Sequence, residues 1–141
     1  MTQPAIPSPA ATVVLLRDRP PAEVETLLLQ RHANSKFAAG DYVFAGGKIE
    51  ADDMPPDGEG LCRGITAGEA AARLGGELAP RDALSYWVGA IREAFEEVGV
   101  LLAYGPDGHL LRMPPEAKLR YETYRTACQK ANPAFFDMLR T

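Results

Sequence analysis

The chain is poor in cysteine, in positive charge and in long apolar runs, and each shortage excludes something. Its two cysteines, Cys62 and Cys128, lack metal-ligand spacing and are expected as reduced thiols of a cytosolic protein. No apolar run approaches the ~18 residues of a membrane span, and the N-terminus has no charged segment followed by an apolar one. The protein is therefore expected in the cytoplasm, away from membranes. A formal net charge of −4 speaks against nucleic acid as a main partner, because basic patches drive that binding. It leaves phosphorylated small molecules open, since a bound cation carries its own positive charge. There is no internal repeat. What remains is ordinary for a globular chain: 141 residues, 46% hydrophobic and 24% charged, enough for one domain with a single core.

The most informative stretch is Arg92-Glu93-Ala94-Phe95-Glu96-Glu97-Val98-Gly99-Val100. At ~100° per residue, Glu93, Glu96 and Glu97 fall within roughly a third of a helix circumference. Trp87, Ile91, Ala94, Phe95 and Val98 gather on the opposite side as a core-facing stripe. Gly99 supplies the residue able to take positive φ where the helix ends. Like charges at these spacings repel by a few tenths of a kcal/mol per pair. A divalent cation such as Mg²⁺ or Mn²⁺ would turn that repulsion into affinity, using one or two carboxylates with water and phosphate oxygens. A solvated acidic face is the other reading.

Upstream, Tyr42-Val43-Phe44-Ala45-Gly46-Gly47-Lys48-Ile49-Glu50 reads as an apolar strand entering a glycine pair, which lets backbone pass close to a ligand. Together the two stretches resemble the halves of the Nudix box, G-x5-E-x7-R-E-U-x-E-E-x-G-U, with U a bulky apolar residue. Arg92, Glu93, Glu96, Glu97, Gly99 and Val100 match its second half, and Ala94 stands where a bulky residue is usual. Gly47 takes the glycine position, and Asp53 follows where Glu is usual. The motif's arginine would then fall at position 61, so Arg92 lies 31 residues late. That long insertion, about 54–84, resembles the acyl-coenzyme A diphosphatase branch, which usually has Pro in place of Ala45.

The resemblance implies an α/β fold, an α+β mixed sheet flanked by helices in a Nudix-like α/β/α sandwich. It implies metal-dependent hydrolysis of a diphosphate linkage in a small molecule, a nucleoside diphosphate derivative, with coenzyme A or acyl-coenzyme A leading. Glu96 and Glu97 would be metal ligands with the Gly46 carbonyl, and Glu93 a ligand or general base. Arg92 would aim a neighbouring acid, Asp53 would brace the loop against the helix, and Gly47, Lys48 and Arg31 would face substrate. The resemblance covers residues 11–140 but only the front part of the family's domain, whose later strands have no counterpart. A truncated, non-catalytic or partner-binding domain is thus the second reading, and a sheet completed by another chain leaves room for a homodimer.

Along the chain, residues 1–10 read as a disordered tail before a domain over 11–141. Strands are expected over Thr12–Arg17, Glu25–Arg31 and 42–45, the first two as a hairpin or as members of a mixed sheet. His32–Asp41 reads as a polar connection holding Phe37. Residues 50–64 read as loop. Thr66-Ala67-Gly68-Glu69 fits a capping box opening a short alanine-rich helix that stops near Gly75-Gly76. The acid helix should begin after Pro80. Strands are expected again over Val100–Tyr104 and His109–Met113, with His109 exposed, then a helix over Glu116–Lys130. Asn132-Pro133 should cap a last helix. Residues 54–80, rich in Gly and Pro, are expected to be mobile and to tolerate shortening.

Overall fold

The computed structural model describes residues 6–34, 38–131 and 133–141. Among them the chain forms six short strands: Ala10–Val13 (β1), Leu16–Arg19 (β2), Glu23–Thr26 (β3), Leu29–Gln30 (β4), Tyr42–Val43 (β5) and Ala45–Lys48 (β6). Five α-helices follow: Gly58–Leu61 (α1), Ala67–Arg73 (α2), Pro80–Val98 (α3), Lys118–Cys128 (α4) and Pro133–Leu139 (α5). Ala51–Asp53 and Pro115–Ala117 are single 3₁₀ turns.

The strands pair antiparallel as β1–β6, β2–β3 and β4–β5. Each expected strand run is divided, at Val14-Leu15, at Leu27-Leu28 and at Phe44, because the chain changes partner there. β2 and β3 form the expected hairpin. Among the described residues no parallel pairing completes a mixed sheet. Ala10 pairs with Lys48, and the Ile49 amide donates to the Pro9 carbonyl at 3.0 Å, so the end of the expected tail is sheet. Residues 1–5, Phe37 and the Asn132 cap lie outside the described residues.

α3 is the longest element. Pro80 occupies its first turn, where a missing N–H costs nothing, and Gly99 closes it at φ 73°. Its stripe of Ala83, Leu84, Val88, Ala94 and Phe95 is buried. One side meets α2, where Ala67, Ala70 and Ala71 lie buried with Ala83, small side chains that allow close approach. Phe135 of α5 reaches Phe95 with ring centroids 6.4 Å apart, and Phe136 meets Phe135 edge-on at 5.7 Å. Each such ring contributes about 1.5–3 kcal/mol through burial. The other side of α3 packs on β6 and β1.

The insertion departs from expectation. Thr66 and Glu69 make the capping box, and Gly75 and Gly76 end α2 with positive φ. Yet Met54, Ala67, Ala70 and Ala71 belong to the core, and Arg81 donates to the Met54 and Pro55 carbonyls at 2.8 Å each. Part of 54–80, Met54 and the inner face of α2, is therefore packed structure, because an alanine-rich face buries well against another helix, while 72–77 stay exposed. Short helices also occupy part of the expected loop over 50–64. The pair of strands expected after Gly99 reduces to one bridge, Tyr104 with Leu110, around a Gly105–Gly108 turn, and His109 is exposed. Cys62 and Cys128 are free thiols. Among the described residues no helix is long and apolar enough to cross a membrane.

Candidate functional site

The last two turns of α3 carry Arg92, Glu93, Glu96 and Glu97, and β6 brings Gly46-Gly47 directly over them. The Gly46 amide donates to Glu97 Oε2 at 3.0 Å. A Cβ at Gly46 would run into the Ala11 carbonyl of the paired strand. A Cβ at Gly47 would fall on the Glu93 carboxylate. Both glycines are therefore there for close approach.

Arg92 is the centre of the arrangement and is only 2% exposed. Its Nε donates to Asp53 Oδ1 at 2.6 Å and its Nη2 to Asp53 Oδ2 at 3.2 Å. Nη2 also reaches the Lys48 carbonyl at 3.1 Å, while Nη1 holds Glu93 Oε1 at 2.9 Å and Glu96 Oε2 at 3.2 Å. Asp53, fully buried, accepts a further bond from the Glu50 amide at 2.8 Å. The guanidinium thus ties the 3₁₀ turn, the end of β6 and two of the three acids into one network, a use for which its planar fork suits it.

Glu93 and Glu96 hold a proton more tightly in this setting. Burial pushes Glu93 above the usual glutamate range; Arg92 pulls it back, and Glu97 and Asp53 push it up again. Glu96 is raised in the same way, by burial first, with Arg92 opposing and Glu93 and Asp53 adding to it. Burial alone would lower Arg92, but its bonds and charge interactions with Asp53, then Glu93 and Glu96, outweigh that and hold it raised.

Whether these residues suit a hard divalent cation turns on their donors. Among the described residues no three His, Cys, Asp or Glu side chains are gathered as a ready ligand cage. However, Glu96 Oε1 is buried without a hydrogen-bond partner, while its Oε2 shares Arg92 with the Glu93 carboxylate. A buried anionic oxygen left open is costly, and a cation is the ligand that would relieve it. Mg²⁺ takes one or two carboxylates and completes its shell with water and substrate oxygens, so the donor set fits without a cage.

Of the residues expected from sequence, Arg92, Glu93, Glu96, Glu97, Gly46, Gly47 and Asp53 converge, and Lys48 enters through its carbonyl. Glu97 meets the Gly46 amide. Arg31 ends the β4 segment, exposed, with its amide donating to the Asp41 carbonyl at 2.9 Å. Three contributors escaped sequence reading. A Cβ at Gly89 would meet Ile49 Cδ1 at 2.7 Å and Asp53 Oδ2 at 3.0 Å, so this glycine lets the 3₁₀ turn lie against α3. A lone glycine in a long helix is a signal for such contact. Arg125 and Gln129 of α4 reach the backbone of the acid turn, and nothing local announces them.

A cavity of about 790 Å³ opens on the other face of α3, lined by Trp87, Ile91, Leu101, Tyr104 and Phe135. Glu93, Glu96 and Glu97 do not line it.

No family model matches the chain. It is 27% identical over 149 residues to the acyl-coenzyme A diphosphatase NUDT19 of Xenopus laevis, an alignment spanning 84% of this chain and 37% of that protein. It superposes on the crystal structure of a NUDIX hydrolase from Alicyclobacillus acidocaldarius with a TM-score of 0.63 and 24% identity. That match covers 93% of this chain and 52% of the other. The chain thus spans about half, or less, of the proteins it matches, and identity at the level of the structural match speaks for fold alone. With both halves of the box brought together on one helix and one strand, the chain has a Nudix-like α/β fold and resembles the Nudix hydrolase superfamily in sequence.

Proposed function

We propose that the protein hydrolyses a diphosphate linkage in a nucleoside diphosphate derivative, with Mg²⁺ or Mn²⁺ as cofactor. The observation that carries this reading is the buried Asp53–Arg92 pair holding Glu93 and Glu96, with Glu93 against Gly47 and Glu97 on the Gly46 amide. A solvated acidic face has no use for a buried arginine that gathers its acids. Coenzyme A or acyl-coenzyme A leads as substrate, since the relative from Xenopus laevis carries that activity in its name.

Glu96, Glu97 and Glu93, with the Gly46 carbonyl, would hold the ion. When bound it would neutralise charge on the non-bridging phosphate oxygens and favour in-line attack by water. Glu93, raised in proton affinity by burial, is suited to take a proton from the attacking water once a cation offsets its neighbours. Arg92, engaged by Asp53, keeps Glu93 and Glu96 from turning away. Gly47 leaves room for the Glu93 carboxylate, and Lys48, next to it on β6, would supply positive charge for a phosphate. The net charge of −4 suits a small cytoplasmic substrate better than nucleic acid or a membrane surface.

A second reading, a non-catalytic or partner-binding domain, is favoured by apolar side chains on the strands that stay open, Leu16, Val24 and Tyr42 each being 64–66% exposed. A second copy of the chain is one partner such a surface would take. The test is to incubate the purified chain with coenzyme A, acyl-coenzyme A and a nucleoside diphosphate sugar, each with Mg²⁺ or Mn²⁺. Cleavage into two phosphate monoesters that is lost with chelator supports hydrolysis. Mn²⁺ binding without turnover of any diphosphate would favour the second reading instead.

A further inference from the structure

A helix leaves its last carbonyls without partners inside it, and they must be met from elsewhere. At the end of α3 the Gly99 amide takes the Phe95 carbonyl at 2.9 Å, and the Val100 amide takes Ala94 at 3.3 Å. The next two carbonyls belong to Glu96 and Glu97, whose side chains are two of the three site acids. Both are held by α4. Arg125 Nε donates to the Glu96 carbonyl at 3.0 Å and Arg125 Nη2 to the Glu97 carbonyl at 2.9 Å. Gln129 Nε2 adds a bond to the Glu96 carbonyl at 2.7 Å. Gln129 comes four positions after Arg125, as the residue that closes α4, so both reach from one face of that helix.

From this we infer that Arg125, seconded by Gln129, is a positioning residue that fixes the backbone of the acid turn from outside. The inference rests on the reading of Glu96 and Glu97 as cation ligands. The site is then held twice: Arg92 and Asp53 restrain the side chains, and Arg125 restrains the peptide units that carry them. A cation at the C-terminal pole of α3 also meets the negative end of the helix dipole, which otherwise adds to the carboxylate charge. The aliphatic stem of Arg125 lies along Gly99, with Cδ 3.8 Å from where a Cβ would stand. A short bonding group on α4 would not span that distance as the arginine does. Release of the turn would let Glu97 leave the Gly46 amide and Glu96 swing on a fraying helix end.

The test compares wild type with Arg125→Met, Arg125→Lys and Gln129→Leu by Mn²⁺ titration and by amide hydrogen exchange. In Arg125→Met the amides of Gly99 and Val100 should exchange about tenfold faster, the scale of one net hydrogen bond, while those of residues 84–92 keep their wild-type rates. Mn²⁺ affinity should fall by about tenfold, as on loss of an outer-shell partner. Arg125→Lys should recover part of both, and Gln129→Leu should move both in the same direction by less. Unchanged exchange and Mn²⁺ affinity in folded Arg125→Met overturn the inference. Should that variant not fold, wild-type behaviour of Gln129→Leu overturns it as well. Wild type that binds no Mn²⁺ would sink the cation reading, while exchange at Gly99 and Val100 still decides whether Arg125 holds the turn.

Discussion

Asp53 and Arg92, 39 residues apart, face each other through two hydrogen bonds in a setting where neither meets appreciable solvent. The pair closes the long insertion into a loop whose two ends belong to one site. Removing one partner leaves the other charge buried alone, which typically costs about 3–5 kcal/mol. Asp53→Asn should therefore lower the unfolding free energy by about that amount, measured in urea. Asp53→Leu combined with Arg92→Met should cost less than either single change. A cost below ~1 kcal/mol for Asp53→Asn would mean the pair is not closed in solution.

Gly89→Ala offers a second probe of the same contact from the helix side. The added methyl meets Ile49 Cδ1, which can turn away, and Asp53 Oδ2, which cannot without releasing Arg92. Alanine gains up to about 1 kcal/mol in helix propensity over glycine. Overpacking by one methyl costs about 1–3 kcal/mol and should outweigh it. The variant should melt lower than wild type. A higher melting temperature would show that the 3₁₀ turn moves off α3 freely.

Glu97→Gln separates a cation site from an acidic face. The amide side chain keeps an oxygen for the Gly46 N–H but loses the charge. Mn²⁺ affinity should fall, and any diphosphate hydrolysis should slow by at least ~10²-fold, the lower range for losing a key electrostatic group. Glu77→Gln, exposed and remote in sequence, is the control. Glu69 does not serve, because its carboxylate accepts from the Thr66 amide and hydroxyl at 2.8 Å each and caps α2. Equal Mn²⁺ binding in Glu97→Gln and wild type would exclude Glu97 as a ligand.

The raised proton affinities of Glu93 and Glu96 give the metal-free protein a defined pH response. Their folded values lie above the ordinary 4.5. Over the interval above that value the folded state binds more protons than the unfolded, so these two groups stabilise most below it and lose that contribution as pH rises. Relative to a Glu93→Gln, Glu96→Gln variant, wild type should lose stability between pH 4.5 and neutrality. Added Mn²⁺ should return stability at neutral pH by mass action. Parallel pH profiles for the two proteins would show that both acids ionise at their ordinary values.

Deleting Thr66–Gly76 should unfold the protein, because Ala67, Ala70 and Ala71 are part of the core against α3. Circular dichroism retaining a cooperative melt in the deletion would return the segment to the status of a spacer.

The sequence by itself determined the local features. Pro80 and Gly99 bracket α3 through the chemistry of helix ends, Thr66 and Glu69 cap α2, and the Glu93, Glu96, Glu97 spacing puts three acids on one face. All of these depend on neighbours a few residues apart, so they are legible in a string. Strand limits were less so. Whether Val14 or Leu28 continues a strand depends on which segment lies alongside, and β1 turns out to pair with β6 rather than with its neighbour in the chain. Only the tertiary structure decided the links that make a site of these parts. Asp53 meets Arg92 across a 31-residue insertion, Gly89 gives way to Asp53, and Arg125 reaches the acid turn from another helix. Such contacts are set by how α2, α3 and α4 pack, and a buried ion pair or a capped carbonyl between distant residues leaves no periodic trace in the chain.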